Sequence, residues 1–244
     1  MNLLLLEPSE GQAERFVVHG RRARHVREVL RKGPGDRIRV GLLEGPIGEA
    51  EIAALGADRL ELICHFTGEA PPRPKLDLIL AVPRPKSLAK LLPEIATLGV
   101  DRLILLRTWR VEKPYLSVDL LRPERYRPLL HEGMMQGRTT REPTLTVEPL
   151  FKPFIEDRAP ALAGEASVRV LAHPSAGRSL AALRAPPDAR VALVIGPEGG
   201  LIPYEVHAFE ALGFIAIELG PRPLRVETAC VAARSQIELL RSVG

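Results

Sequence analysis

The first part of the chain places its apolar residues in short runs bounded by turn formers: LLLLEP (Leu3 to Pro8), RFVVHG (Arg15 to Gly20), GDRIRVGL (Gly35 to Leu42), EAEIAAL (Glu49 to Leu55) and DRLELICHF (Asp58 to Phe66). Runs of this length, closed by Gly, Pro and Asp, predict a small β domain, with one helix at about Ala23 to Arg31. The stretch TGEAPPRPK, Thr67 to Lys75, follows. Its prolines remove backbone donors and favour extended chain, so it predicts a stiff linker and a boundary between a domain at 1–70 and a second at 71–244.

Beyond that point the period changes. LDLILAV (Leu76 to Val82) reads as a buried strand. A helix is predicted at Lys86 to Leu98, where Leu88, Leu91, Leu92, Ile95 and Leu98 recur at helical spacing and Gly99 supplies the stop. The runs RLILL, VRVLAH, VALVIG and IAIELG follow, with helical or loop segments between them. Strands apolar on both faces and alternating with helices imply an α/β domain with a parallel sheet covered on both sides. In such sheets ligands bind beyond the carboxyl ends of the strands. Three strand ends carry loops of unusual composition: AHPSAGR after Leu171, GPEGG after Ile195 and GPRPLRVETA after Leu219. If they converge, they make a pocket of main-chain amides and carbonyls, suited to an uncharged purine and an amino-acid moiety. The last predicted helix, ETACVAARSQIELLRSV, has one apolar stripe at Ala229, Ala233, Ile237 and Leu240 and another at Ala232, Leu239 and Val243. Two stripes imply burial on two sides, one on the chain's own sheet and one on a partner.

Composition and charge narrow the class. No apolar run approaches the ~20 residues of a membrane span, and the leucines at the start lack a basic flank, so a cytoplasmic protein without a membrane segment is expected. The two cysteines, Cys64 and Cys230, are far apart and without metal-ligand spacing, so neither a disulfide framework nor a metal is expected. The net charge is +4. Between Arg15 and Arg39, however, nine Arg/Lys face two acids, and between Arg102 and Arg141 nine face four. Clustered cations of this kind bind phosphates by releasing counterions, which points to nucleic acid. No GxxxxGK[ST] and no GxGxxG after a strand is present, which disfavours P-loop enzymes and dinucleotide-binding folds.

The elements HVREVLRKGPGDRI, PEIATLGVDRLILL, IGPEGGL and LGPRPLRVETA, in this order along the chain, resemble the RsmE family of SPOUT-class 16S rRNA uridine-N3 methyltransferases. The resemblance covers most of the chain. It implies a SPOUT-type parallel sheet with a deep trefoil knot near the carboxyl end, S-adenosyl-L-methionine held in the knot loops, a small PUA-like N-terminal β-barrel for RNA, and a homodimer acting on 16S rRNA in the small ribosomal subunit. The cofactor-binding residues expected from the motif and the strand ends are Leu171, His173, Ile195, Gly196, Pro197, Glu198, Gly199, Gly200, Leu219, Gly220, Leu224 and Thr228. The glycines at 196, 199 and 200 are expected to let the backbone turn sharply and approach the cofactor.

Uridine N3 carries a proton at neutral pH. Methylating it requires a proton acceptor and stabilisation of charge on O2 or O4, tasks suited to a carboxylate and an arginine in a water-poor site. Arg225, Glu227 and Arg222 are the candidates. The basic segment, Arg21, Arg22, Arg24, His25, Arg27, Arg31 and Lys32, is expected to contact RNA. The sequence departs from the family pattern in four places: Ile202 stands where Ser usually caps the next helix, Pro223 replaces Ile, Thr97 replaces Glu, and the Gln-x-x-Arg spacing is shifted, with Thr139 where Arg is usual, which leaves the roles of Gln136 and Arg138 open. Two alternatives remain at this stage: a knotted methyltransferase for another RNA or atom, and a noncatalytic RNA-binding assembly factor.

Overall fold

The structure, a computed structural model, describes residues 2–243. They form two compact units, Met1–Arg73 with Leu130–Glu142, and Pro74–Leu129 with Pro143–Gly244.

The first unit is built on a curled six-stranded sheet: β1 (Leu4–Leu6), β2 (Gly11–Gln12), β3 (Arg15–His19), β4 (Arg37–Leu42), β5 (Ile47–Leu55) and β6 (Arg59–Phe66). The strand order is β1-β4-β5-β6-β3-β2, antiparallel except between β1 and β4. Period-two patterning sends Ile38 and Val40, Ala50 and Ile52, and Leu60, Leu62 and Cys64 into one core, which α1 (Arg21–Glu28) closes with Ala23 and Val26. Gly20 launches that helix at φ 74°, a conformation open to glycine at little cost.

Residues 130–142 join this unit through named bonds. The Thr140 hydroxyl donates to the Gly45 carbonyl at 2.6 Å, the Glu142 amide donates to Glu44 at 2.7 Å, and the Leu3 amide donates to the Met135 carbonyl at 3.1 Å. The linker expected at Thr67 to Lys75 has no regular structure, and Arg73 within it pairs with Glu44.

The second unit carries β7 (Leu76–Ala81), β8 (Arg102–Leu106), β9 (Thr144–Glu148), β10 (Val168–Ala172), β11 (Val191–Ile195) and β12 (Ile215–Ile217), all parallel, in the order β12-β10-β11-β7-β8-β9. Every residue of β7 and β11 is buried, as strands covered on both faces must be. The helices are α2 (Pro85–Thr97), α3 (Pro123–Gly137, whose second half belongs to the first unit), α4 (Phe151–Pro153), α5 (Ala159–Glu165), α6 (Pro203–Ala211) and α7 (Val226–Val243), with a π turn at Phe154–Arg158 between α4 and α5. On one face Phe154, Phe209 and Phe214 pack with Ile79, Ile104 and Val194.

A charge network closes the amino-terminal edge of this sheet. Asp77, fully buried, accepts from Arg102 at 2.6 Å and 2.7 Å and from Arg190 at 2.7 Å, and Arg190 also donates to Asp101 at 2.9 Å. A buried carboxylate is tolerable only when its desolvation is offset in this way. The opposite, carboxyl edge is left to the loops.

Candidate active site

The three loops singled out by composition do converge. Ala172, the last residue of β10, is in register with Ile195, the last of β11, and with Ile217, the last of β12. The loops therefore leave the sheet side by side, one strand spacing apart, about 4.8 Å. Between them lies a cavity of about 150 Å³. His173, Ile195, Gly196, Pro197, Glu198, Gly200, Leu219, Gly220 and Leu224 line it, together with Ala172, Pro174, Leu201, Arg222, Pro223, Val226 and Ala229. Three expected residues stand outside this lining. Leu171 is buried in the sheet core, Thr228 faces solvent on α7, and Gly199 lies against Arg110.

The glycines have separable reasons. Gly200 sits at φ 75°, which a side chain rarely adopts, and its amide closes a turn onto the Pro197 carbonyl at 2.8 Å. A Cβ at Gly196 would lie 3.1 Å from Leu201 Cγ, and one at Gly199 would lie 3.1 Å from Arg110 Cδ. Two of the three thus serve contacts of the loop with its own protein, while Gly196 and Gly200 also form the wall of the cavity.

The helix after this loop starts without the serine its position would favour. Pro203 occupies the first helical position, and the buried Glu205 carboxylate accepts from the Ile202 amide at 3.0 Å, meeting one of the donors that a helix start leaves open. The other oxygen of Glu205 accepts from the Trp109 amide at 2.6 Å. The neighbouring Arg110 guanidinium donates to the Gly199 carbonyl. The segment after β8 is thereby tied twice to the glycine loop, a connection that residues 96 positions apart in sequence could not announce.

Residues 70–238 match the family described as the RNA methyltransferase domain. The chain belongs to that family. It is 29% identical over 247 residues to the ribosomal RNA small subunit methyltransferase E of Treponema pallidum, across 96% of this chain and 89% of that protein. The protein of the same name from Mycobacterium bovis is 28% identical over 233 residues, across 93% of this chain and 87% of its own length. The crystal structure of a ribosomal RNA small subunit methyltransferase E from Neisseria gonorrhoeae bound to S-adenosyl methionine has the same fold, with a TM-score of 0.77 at 21% identity over 98% of each chain.

In this RNA methyltransferase the three expected catalytic residues occupy different surroundings. Arg222 borders the cavity, whereas Arg225 and Glu227 do not. The Arg225 carbonyl accepts from the Ala229 amide at 2.8 Å at the start of α7. The Glu227 carboxyl is held below the usual carboxylate range, first by its own backbone amide, then by the Ser87 hydroxyl and by nearby Arg225 and Lys90. A carboxylate stabilised as the anion is a weak proton acceptor, and an acid in the first turn of α7 also suits the helix dipole.

The basic segment of the first unit is partly engaged. Arg22 donates to the Leu5 carbonyl at 2.7 Å and pairs with Glu10. Arg21 pairs with Glu132, Arg24 with Asp58, Arg27 with Glu28 and Lys32 with Asp36, all with exposed side chains, where such pairs are weak and exchangeable. Arg31 is exposed at φ 53°. Burial, with help from the charge of Arg21, lowers the pKa of His25, and its Nε2 is buried without a hydrogen-bond partner. Gln136 contributes its carbonyl to Asn2, and Arg138 sits at φ 56°. Among the described residues no cluster of three or more metal-ligating side chains occurs, and no helix is long and apolar enough to cross a membrane.

Proposed function

We propose that this chain transfers a methyl group from S-adenosyl-L-methionine to N3 of a uridine in 16S rRNA of the small ribosomal subunit. The observation that carries this reading is the cavity formed where β10, β11 and β12 end in register, inside the segment that matches the RNA methyltransferase family. Its wall fits the cofactor. Glycines, prolines and aliphatic side chains surround the space, and Glu198, Arg222 and His173 are the only titratable side chains on it. The enclosed volume, about 150 Å³, is below the ~300–1,000 Å³ of pockets that bury a whole drug-sized ligand. It suits one moiety of the cofactor, such as the base.

The cofactor supplies an electrophilic methyl group. Pro197, Gly200, Leu219 and Leu224 would hold it. Arg222 takes first place among the three candidates for stabilising charge on the uridine oxygens, since it alone borders the cavity. Arg225 assists from the same loop, and Glu227 orients this segment as a fixed anion. The target base must leave its stack to reach the cavity.

The curled sheet of the first unit supports a PUA-like RNA-binding role for residues 1–70, with Arg21, Arg24, His25, Arg27, Arg31 and Lys32 on flanking phosphates and Arg22 bracing them from within. Within residues 71–244, the second unit is the SPOUT domain, with the trefoil knot around the loops after β11 and β12. A homodimer is supported by α7. Its first stripe, Ala229, Ala233, Ile237 and Leu240, is buried, while Leu239 and Val243 are 63% and 64% exposed. They border a 430 Å³ apolar cavity that shares Leu219 and Gly220 with the candidate site. The protein works in the cytoplasm, where its substrate is.

The test is transfer from labelled S-adenosyl-L-methionine to small subunits lacking the modification, with naked 16S rRNA and tRNA alongside, followed by nucleoside analysis. Label recovered as 3-methyluridine in 16S rRNA is expected. Arg222→Ala is expected to lower the rate by about 10²–10³, the effect of losing one preorganised donor to a developing oxyanion. Label in another nucleoside would replace the substrate, and cofactor binding without transfer to any RNA would favour an assembly factor.

A further inference from the structure

The only tryptophan of the chain, Trp109, is 79% exposed although its backbone is firmly fixed. Its amide donates at 2.6 Å to Glu205, which is itself 2% exposed, and the next residue, Arg110, donates to the Gly199 carbonyl in the loop that walls the cavity. A large aromatic held in water on a rigid backbone forgoes the burial that usually stabilises it, which points to a ligand that covers it. Two further polar groups in this segment are unmet. Arg107 Nε and Thr108 Oγ1 are buried without a hydrogen-bond partner, an arrangement uncommon in finished structures unless a ligand or water completes it. The flanking charge is positive, with Arg107, Arg110 and Lys113 against Glu112.

We propose that Trp109 is a stacking surface for an unpaired nucleobase of the RNA substrate, placed by Glu205 and Arg110 beside the loop that holds the cofactor. This rests on the methyltransferase reading above and specifies how that site takes its substrate. A base extruded towards the cavity leaves its neighbours unstacked, and their exposed faces need a partner within a few nucleotides of the reacting one. A tryptophan next to arginines provides it, because stacking tolerates any base and the guanidinium groups attract the backbone. Trp109 is a positioning residue, acting on affinity and placement rather than on the reacting atoms.

Because the chain has one tryptophan, intrinsic fluorescence reports on this residue directly. A short mixed-sequence single-stranded oligoribonucleotide is expected to quench the emission, with a solvent-exposed spectrum beforehand. In methyl transfer to small subunits, Trp109→Ala is expected to raise KM by about 5- to 150-fold, the range for losing one base stack. Its kcat should change much less, its cofactor affinity should match wild type, and Trp109→Phe should recover most of the KM. The bond to Glu205 comes from the main chain, so either variant keeps it.

An unchanged KM for Trp109→Ala would overturn the proposal while leaving the methyltransferase reading intact. A buried-type emission spectrum in the free protein would also overturn it, by showing the indole covered by a second copy. If wild type transfers no methyl group to any RNA, the activity reading fails, and quenching by the oligoribonucleotide then decides the stacking role alone, its absence refuting it.

Discussion

Glu205 ties the segment after β8 to the start of α6, and replacing it with alanine should separate them. The carboxylate lies at 2% exposure and accepts two main-chain donors, the Ile202 amide at 3.0 Å and the Trp109 amide at 2.6 Å. Losing the first removes the cap of α6, at a cost of about 0.5–2 kcal/mol. Losing the second removes a hydrogen bond to a charged group, about 1.5–3 kcal/mol. The sum, roughly 2–5 kcal/mol, converts to a fall in Tm of about 4–20 °C at the ~2–4 °C per kcal/mol expected for a protein of this size. Glu205→Gln keeps one acceptor oxygen and should lose about half as much. Thermal unfolding by circular dichroism gives the first number, and calorimetric titration with S-adenosyl-L-methionine gives the second. Cofactor affinity should fall as well, because the residues from Gly196 to Leu201 lead directly into the helix that Glu205 caps. A Tm for Glu205→Ala within about 1 °C of wild type would refute the reasoning, since that is the range of a neutral surface change.

Three other outcomes concern Gly200, Glu227 and the two cysteines. Gly200→Ala forces a side chain into φ 75° and should destabilise by about 1–2 kcal/mol while weakening cofactor binding; unaltered binding and Tm would show that the turn relaxes. The stabilising contribution of Glu227, whose folded-state pKa is depressed, is complete above the unfolded carboxylate value and is lost as pH falls through the folded one. The Tm difference between wild type and Glu227→Gln should accordingly shrink between neutral and strongly acidic pH, and a constant difference would contradict it. Burial pushes both Cys64 and Cys230 up to about 12, so neither thiol should react with a disulfide reagent at neutral pH until the protein is denatured, and rapid labelling of the native protein would count against the packing described.

Much of the second unit was legible from periodicity. The helix expected at Lys86 to Leu98 is Pro85–Thr97, and the strand runs after Lys75 became a parallel sheet because fully apolar runs can be satisfied only when both faces are covered. Gly200 was legible as a turn, but not as the member of the trio that needs its positive φ. The capping role of Glu205 and the exposure of Trp109 were not visible, because both depend on a contact between segments far apart in sequence. Arg222, Arg225 and Glu227 share one loop in the sequence, and only the three-dimensional arrangement separates the residue at the cavity from the two beside it. Likewise MMQGRTTRE reads as a continuation of the second domain, whereas its bonds to Gly45, Glu44 and Leu3 belong to the first.

That last feature limits how this protein can be taken apart. The chain passes from one unit to the other at residues 73/74, 129/130 and 142/143. Neither unit is therefore a contiguous gene segment, and a cut at the proline-rich stretch would strip the amino-terminal piece of the partners of Leu3, Glu44 and Gly45. Moving that piece into another protein with its bonds intact would mean moving residues 130–142 as well, a second fragment that lies inside the sequence of the other unit.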